Sequence, residues 1–128
     1  MVRIGVDLGG TKIEAIVIRA DGVIEARLRR ATPRLDYEAT VAAVAGVVDD
    51  LDRSVGSRCP VGVGTPGAMD PATGLMKNCN STWLNGRPLL RDLGARLGER
   101  VRLANDADCF ALSESVDGEA KDARIAFG

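Results

Sequence analysis

The chain opens on an alternation. Val2, Ile4, Val6 and Leu8 are apolar at every second position, which is the period of a strand. Residues 12–19 (Lys-Ile-Glu-Ala-Ile-Val-Ile-Arg) form a second, largely apolar strand, and Asp21-Gly22 after it is a strong two-residue hairpin signal. A third strand alternates cleanly, with Ile24, Ala26 and Leu28 on one face and Glu25, Arg27 and Arg29 on the other. One wet face and a row of charges place it at a sheet edge, where charge discourages pairing with another chain. Pro33 ends this strand and Asp36 can cap a helix. Tyr37, Val41, Val44, Val48, Leu51 and Val55 then recur at spacings of three and four, one apolar stripe on a long helix that Gly56 stops.

Residues 59–64 return to strand character, followed by Thr65-Pro66-Gly67. A short excursion over residues 70–74 separates Ala68-Met69 from Leu75-Met76, and residues 80–87 (Asn-Ser-Thr-Trp-Leu-Asn-Gly-Arg) read as a polar loop. Pro88 opens a helix at its first position; Leu90, Leu93 and Leu97 form its buried face and Gly98 closes it. Val101 and Leu103 mark a fifth strand, which runs into Asn105-Asp106 and a helix ending near Asp117-Gly118; Ile125 begins another strand. The order β-β-β-α-β-α-β-α predicts an α/β fold, a five-stranded mixed sheet with three antiparallel and two parallel strands and helices packed on it. That is the pattern of a ribonuclease-H-like, actin-type ATPase lobe.

Composition narrows the function. The 128 residues are 45% hydrophobic, enough for one domain with a real core. A net charge of −1 offers no broad basic surface, and one Trp, one Tyr and two Phe offer no stacking platform, so nucleic acid is not an expected partner. No apolar stretch approaches the ~20 residues that span a bilayer, and Asp7 interrupts any signal-peptide core; the expectation is a cytoplasmic protein with no membrane partner. Cys59, Cys79 and Cys109 are odd in number and scattered, which argues against a disulfide framework or a zinc site within this chain and for small buried apolar residues. The absence of histidine removes His-based triads and His metal sites.

The candidate chemistry sits at strand ends. Asp7-Leu8-Gly9-Gly10-Thr11-Lys12 follows the first strand. Adjacent glycines let backbone N–H groups approach an anion with no Cβ in the way. Thr11 and Lys12 add a hydroxyl and a positive charge, and Asp7 can hold a hydrated Mg²⁺ against the same anion. These are the elements of a nucleotide phosphate site, although not of a P-loop, since G-x-x-x-x-G-K-[ST] is absent. Gly-Gly-Thr between strands is equally an ordinary hairpin turn. Gly62-Val63-Gly64-Thr65-Pro66-Gly67 and Asn105-Asp106-Ala107-Asp108 lie at two further strand ends. Ligands of open α/β sheets bind beyond such carboxyl ends.

On these residues the chain resembles the ROK (repressor, open reading frame, kinase) sugar kinases over essentially its whole length. Asp7 to Lys12 matches that family's phosphate loop, and Gly64-Thr65-Pro66-Gly67 its sugar-side turn. Asn80-Ser81-Thr82-Trp83-Leu84-Asn85-Gly86 looks like the bacterial fructokinase/mannokinase branch. Residues 105–114 are similar to a segment of that branch and of the N-acetylglucosamine kinase branch. Trp83 to Gly86 is the most discriminating segment and favours fructokinase/mannokinase, with N-acetylglucosamine kinase next.

The resemblance implies an ATP-dependent hexose kinase acting on the 6-hydroxyl of fructose or mannose; N-acetylglucosamine or glucose is the alternative. Asp106 would be the catalytic base, taking the proton from the sugar hydroxyl as its oxygen attacks the γ-phosphorus. Gly67, Asn80, Asn105 and Asp106 would bind the sugar, and Asp7, Gly9, Gly10, Thr11 and Lys12 the ATP phosphates and Mg²⁺. ATP and Mg²⁺ are the implied cofactors; zinc would belong only to a segment this chain lacks. Simpler roles stand beside these. Asn105 or Asp106 can be a helix N-cap, and Asp108, where those branches carry Asn, can be a first-turn acid. Trp83 either stacks on sugar or packs, and Asn80 and Ser81 can shape the loop through local backbone bonding.

Family members are much longer and usually have two lobes. The second phosphate motif (Gly-Thr-Gly), the Glu-x-Gly-His sugar segment and the Cys-x-Cys-Gly zinc segment are absent. Residues 1–118 therefore read as the N-terminal lobe, and 119–128 as the start of a connection to a second lobe. One lobe cannot close on ATP or exclude water, so little or no kinase activity is expected of it alone. An apolar face left uncovered would favour self-association, as a homodimer or another assembly such as a swapped one. Two other functions remain in view. A sugar-sensing regulator of the same family needs a helix-turn-helix ahead of the phosphate strand, for which a strand starting at Val2 leaves no room. A non-catalytic sugar- or nucleotide-binding lobe is the other.

Overall fold

The computed structural model describes residues 2–105. The helix expected from Asn105-Asp106, the strand expected at Ile125, Asp106, Asp108, Cys109 and the lobe boundary near residue 118 all lie outside the described residues.

Three strands come first along the chain: β1 (Val2–Leu8), β2 (Lys12–Arg19) and β3 (Ile24–Ala31). Helix α1 (Tyr37–Val55) crosses back to β4 (Val61–Thr65), and a small hairpin follows, β5 (Ala68–Met69) with β6 (Met76–Lys77). A 3₁₀ turn (Thr82–Leu84), α2 (Leu89–Leu97) and β7 (Val101–Asn105) complete the described chain. The main sheet has the order β3-β2-β1-β4-β7. β1 pairs antiparallel with β2, and β2 with β3, while β4 runs parallel to both β1 and β7. This is the expected five-stranded mixed sheet, with the charged third strand at its edge. Among the described residues, no helix is long and apolar enough to cross a membrane.

One face of the sheet carries the core. Ile4, Val6 and Leu8 of β1, with Ile13, Ala15 and Val17 of β2, pack under the stripe Tyr37, Val41, Val44, Val48 and Leu51 of α1. Asp36 starts α1 by accepting the Ala39 N–H at 3.0 Å, and Gly56 ends it in the left-handed region at φ 90°. The ends of α1 thus fall where their caps predict.

Two local expectations give way. Pro88 is the N-cap of α2 rather than its first residue, so the helix starts one position later. Its buried face is accordingly Leu89, Leu93 and Leu97, with Leu90 only partly covered. The segment 80–87 is the expected polar loop at Asn80, Thr82, Asn85, Gly86 and Arg87, which are exposed, but not throughout. It contains the 3₁₀ turn and buries Ser81 and Leu84, while Asn85 and Trp83 bond to Cys79 and Thr40. Nor do the described residues show a broad uncovered apolar face. Their exposed large apolar side chains are Val23, Leu35 and Leu75, on three separate turns.

The amino ends of the parallel strands are tied by an ion pair. Arg100, at the entry to β7, donates to both Asp52 oxygens (3.0 and 2.7 Å), to Cys59 O at 2.8 Å and to Leu97 O at 2.8 Å. Asp52 also accepts the Cys59 N–H at 3.2 Å. Bonding to Asp52 leads the effects that raise the Arg100 pKa, so the guanidinium stays charged although burial opposes it.

Candidate active site

The carboxyl ends of β1, β4 and β7 are the opposite edge of the parallel part of the sheet. Asp7 is in register with Gly64, and Gly64 with Ala104; Thr65 is in register with Asn105. Strands β1 and β7 flank β4, so their ends are about 10 Å apart. The three sequence segments singled out as chemical therefore meet at one edge, as far as Asn105. Asp106, the next residue, lies outside the described residues.

Gly9, Gly10 and Thr11 make the turn from β1 to β2. The Gly9 N–H donates to Lys12 O at 3.0 Å and closes it. Thr32, at the end of β3, holds it from the side: its N–H bonds Thr11 O at 3.0 Å and its hydroxyl bonds Gly9 O at 2.8 Å. The two glycines differ in purpose. A Cβ on Gly9 would lie 2.8 Å from Lys12 O, so the turn itself demands glycine. Gly10 is outside the left-handed region, and a Cβ there would meet only Ser81 Oγ at an ordinary 3.5 Å. The N–H groups of Gly10 and Thr11 donate to no other described residue, which is what an anion-binding turn requires. Gly9→Ala is expected to cost about 1–3 kcal/mol through strain at this turn; chemical denaturation checks it, with Gly10→Ala as the near-neutral control.

A second carboxylate lies beside Asp7. Glu14 pairs with Asp7 across β1 and β2, so both side chains stand on the sheet face away from α1. Glu14 is only 5% exposed. Its Oε2 accepts from Arg29 at 2.9 and 3.3 Å, and Lys12 Nζ is 3.4 Å from its Oε1. Like charges directly opposite one another on a sheet repel, and the two cations offset that. Burial pushes the Glu14 pKa up, but the bonds and charges of Arg29 and Lys12 outweigh it, and the net shift is downward from 4.5. The sign follows: Glu14 contributes stability at pH above its unfolded value, and this is lost as pH falls through the folded one. Glu14→Gln is therefore expected to flatten the fall of melting temperature on acidification below about pH 4.5, read by calorimetry across that range.

The sugar-side turn is joined to the phosphate turn through residues 79–81. The Thr65 hydroxyl lies 3.1 Å from Gly67 O and 3.2 Å from Ala104 O, linking β4 to β7. A Cβ on Gly67 would come within 2.6 Å of both Cys79 Sγ and Lys77 O, so close packing already requires glycine there. Asn85 fixes Cys79 by accepting its N–H at 2.8 Å and donating to its carbonyl at 3.3 Å. Asn80, next in the chain, is exposed, and Ser81 is buried against Gly10. Trp83 is partly buried and donates from Nε1 to Thr40 Oγ1 at 3.0 Å, which is packing and anchoring. Burial pushes the Cys79 thiol pKa up, away from reactivity.

Among the described residues, no cluster of three or more His, Cys, Asp or Glu is present. The donor set suits Mg²⁺ all the same, because Mg²⁺ beside a nucleotide takes one or two carboxylates and completes its shell with phosphate oxygens and water. Two residues at this edge were not among the site residues expected from the sequence. Glu14 was visible as the one charge within an apolar run; Ser81 gave no sign, since its contact with Gly10 is long-range.

Comparison with known proteins bears on this geometry. The family described as "ROK family" matches residues 3–127. The N-acetyl-D-glucosamine kinase of Haemophilus influenzae (strain 86-028NP) is 42% identical over 115 residues, covering 90% of this chain and 38% of that protein. The crystal structure of a ROK hexokinase from Thermus thermophilus aligns with a TM-score of 0.75 at 32% identity, over 92% of this chain and 41% of that one. A ROK family glucokinase from Streptomyces griseus, solved in complex with glucose and AMPPNP, aligns with a TM-score of 0.73 at 31% identity, over 92% and 37%. The chain thus spans about two fifths of the length of these relatives. With that family matching nearly every residue and the same actin-type ATPase fold in its solved members, this chain belongs to the ROK family.

Proposed function

We propose that residues 1–118 are the N-terminal lobe of an ATP-dependent hexose kinase, and that the carboxyl edge of β1, β4 and β7 is its half of the active site. The observation that carries this reading is the contact chain along that edge. Gly10 meets Ser81, Gly67 meets Cys79, and Thr65 bonds the carbonyl beside Asn105. A phosphate held at Gly10-Thr11 and a sugar held near Gly67, Asn80 and Asn105 would be neighbours there.

The roles follow from the chemistry. The N–H groups of Gly10 and Thr11, which have no acceptor among the described residues, bind a terminal phosphate, and Lys12 supplies positive charge beside it. Asp7 and the phosphate oxygens would hold Mg²⁺, which neutralises charge on the transferring group. Asp106 accepts the proton of the 6-hydroxyl as that oxygen attacks the γ-phosphorus of ATP and the bond from that phosphorus to the bridging oxygen breaks, releasing ADP. Its pKa need not approach neutrality, because positioning and charge stabilisation dominate phosphoryl transfer. Gly10→Ala should keep the fold and weaken ATP·Mg²⁺ binding about tenfold by crowding the anion's approach; calorimetric titration reads it.

N-acetylglucosamine is the preferred sugar in this reading, from the 42% identity to the Haemophilus enzyme. Fructose or mannose is the second reading, favoured by Trp83-Leu84-Asn85-Gly86. Its weight is reduced because Trp83, Asn85 and the buried Leu84 are occupied in holding the loop. A panel of hexoses with the full-length protein decides between them: the account expects the highest kcat/KM with N-acetylglucosamine, and a preference for fructose or mannose would reverse the order. The 128-residue chain alone should show little or no turnover, since closure by a second lobe completes such sites.

A further inference from the structure

Ser81 is 4% exposed, and its hydroxyl makes no hydrogen bond to any described residue. A buried hydroxyl left unbonded costs stability unless a ligand or water completes it. Its position is fixed by the fold: Ser81 O accepts the Leu84 N–H at 3.0 Å, and Asn85 clamps Cys79 two residues earlier. The hydroxyl faces the bare Cα of Gly10, 3.5 Å from where a Cβ would stand. Its neighbours in that turn, the N–H groups of Gly10 and Thr11, are donors that likewise lack an acceptor among the described residues. Three donors in one place call for a group rich in acceptors. A phosphoryl group presents three acceptor oxygens, whereas a sugar hydroxyl has a proton of its own to place.

We propose that Ser81 is a phosphate-binding residue, its hydroxyl donating to a non-bridging oxygen of the terminal phosphoryl group seated at Gly10 and Thr11. This rests on the kinase reading above and adds to it a donor from outside the phosphate turn. Because Ser81 lies between that turn and the sugar-side segment, it would hold the phosphoryl group on the side from which the sugar approaches. Rigid placement by the 3₁₀ turn means the donor need not be ordered on binding.

The test is a ¹H–¹⁵N titration of the chain with ATP·Mg²⁺, for the native sequence and Ser81→Ala. The amides of Gly10 and Thr11 should shift on binding, and Ser81→Ala should weaken binding about tenfold. The melting temperature of Ser81→Ala without ligand should be unchanged or raised, because no side-chain hydrogen bond of Ser81 among the described residues is lost. Shifts at Gly10 and Thr11 with equal affinity in both proteins would overturn the role of Ser81 and leave the phosphate turn standing. No shift at Gly10 or Thr11 at saturating ATP·Mg²⁺ would overturn both. A lowered melting temperature would show that the hydroxyl serves the fold. A response of Ser81 to N-acetylglucosamine alone, and none to ATP·Mg²⁺, would reassign it to the sugar and end the proposal.

Discussion

Asp106→Asn in the full-length protein is expected to lower kcat by about a thousandfold, with only a modest change in the KM for sugar. Asn has the size and polarity of Asp but cannot take a proton. The proposed base follows Asn105, the last residue of β7, which is in register with Thr65 at the edge that also carries the β1–β2 turn. A base within reach of the sugar hydroxyl affects proton removal and leaves sugar binding largely intact, so the loss should appear in kcat. Retained turnover would move the base to another residue. A rise in KM with kcat unchanged would make Asp106 a binding residue only.

The second large effect is on stability, at the other end of the strands. Asp52→Ala is expected to destabilise the fold by about 3 kcal/mol, or roughly 10 °C in melting temperature for a chain of this size. Asp52 and Arg100 are 13% and 15% exposed at their side chains, so solvent screens the pair little. Deleting Asp52 removes two bonds to the guanidinium and the acceptor of the Cys59 N–H, and leaves a charge largely out of water. Asp52→Leu combined with Arg100→Met should cost clearly less than the sum of the two single changes, since no unpaired charge remains. Urea denaturation measures both. A loss below about 1 kcal/mol for Asp52→Ala would class the pair with exposed ion pairs.

The local half of this fold was legible from the residues. Alternation in β1 and β3, the stripe of α1 and its caps Asp36 and Gly56 are written in neighbouring positions. The edge position of β3 follows from Arg27 and Arg29 on its outer face. What depends on distant partners was not legible. Segment 80–87 looked polar because Ser81, Asn85 and Trp83 carry polar atoms; only tertiary contact shows that Asn85 bonds Cys79 and Trp83 bonds Thr40. The phase of α2 slipped by one residue because Pro88 caps the helix instead of entering it. At the site, the three chemical segments and their common edge could be read from the rule that ligands lie beyond carboxyl strand ends. The links between them, Gly67 on Cys79 and Gly10 on Ser81, could not, since glycine declares a close approach without naming what approaches. Glu14 became a site neighbour only through its pairing with Asp7, which the hairpin register sets.

The central claim is spatial: nucleotide phosphates sit where β1, β4 and β7 end. Paramagnetic broadening by ATP·Mn²⁺ on the ¹⁵N-labelled chain measures it directly. The account predicts that amides of Gly10, Thr11, Gly67 and Asn105 broaden first, while those of Gly56, Cys59 and Arg100, roughly 15 Å away at the amino ends of the parallel strands, stay sharp. Broadening centred on Gly56, Cys59 and Arg100 would contradict it.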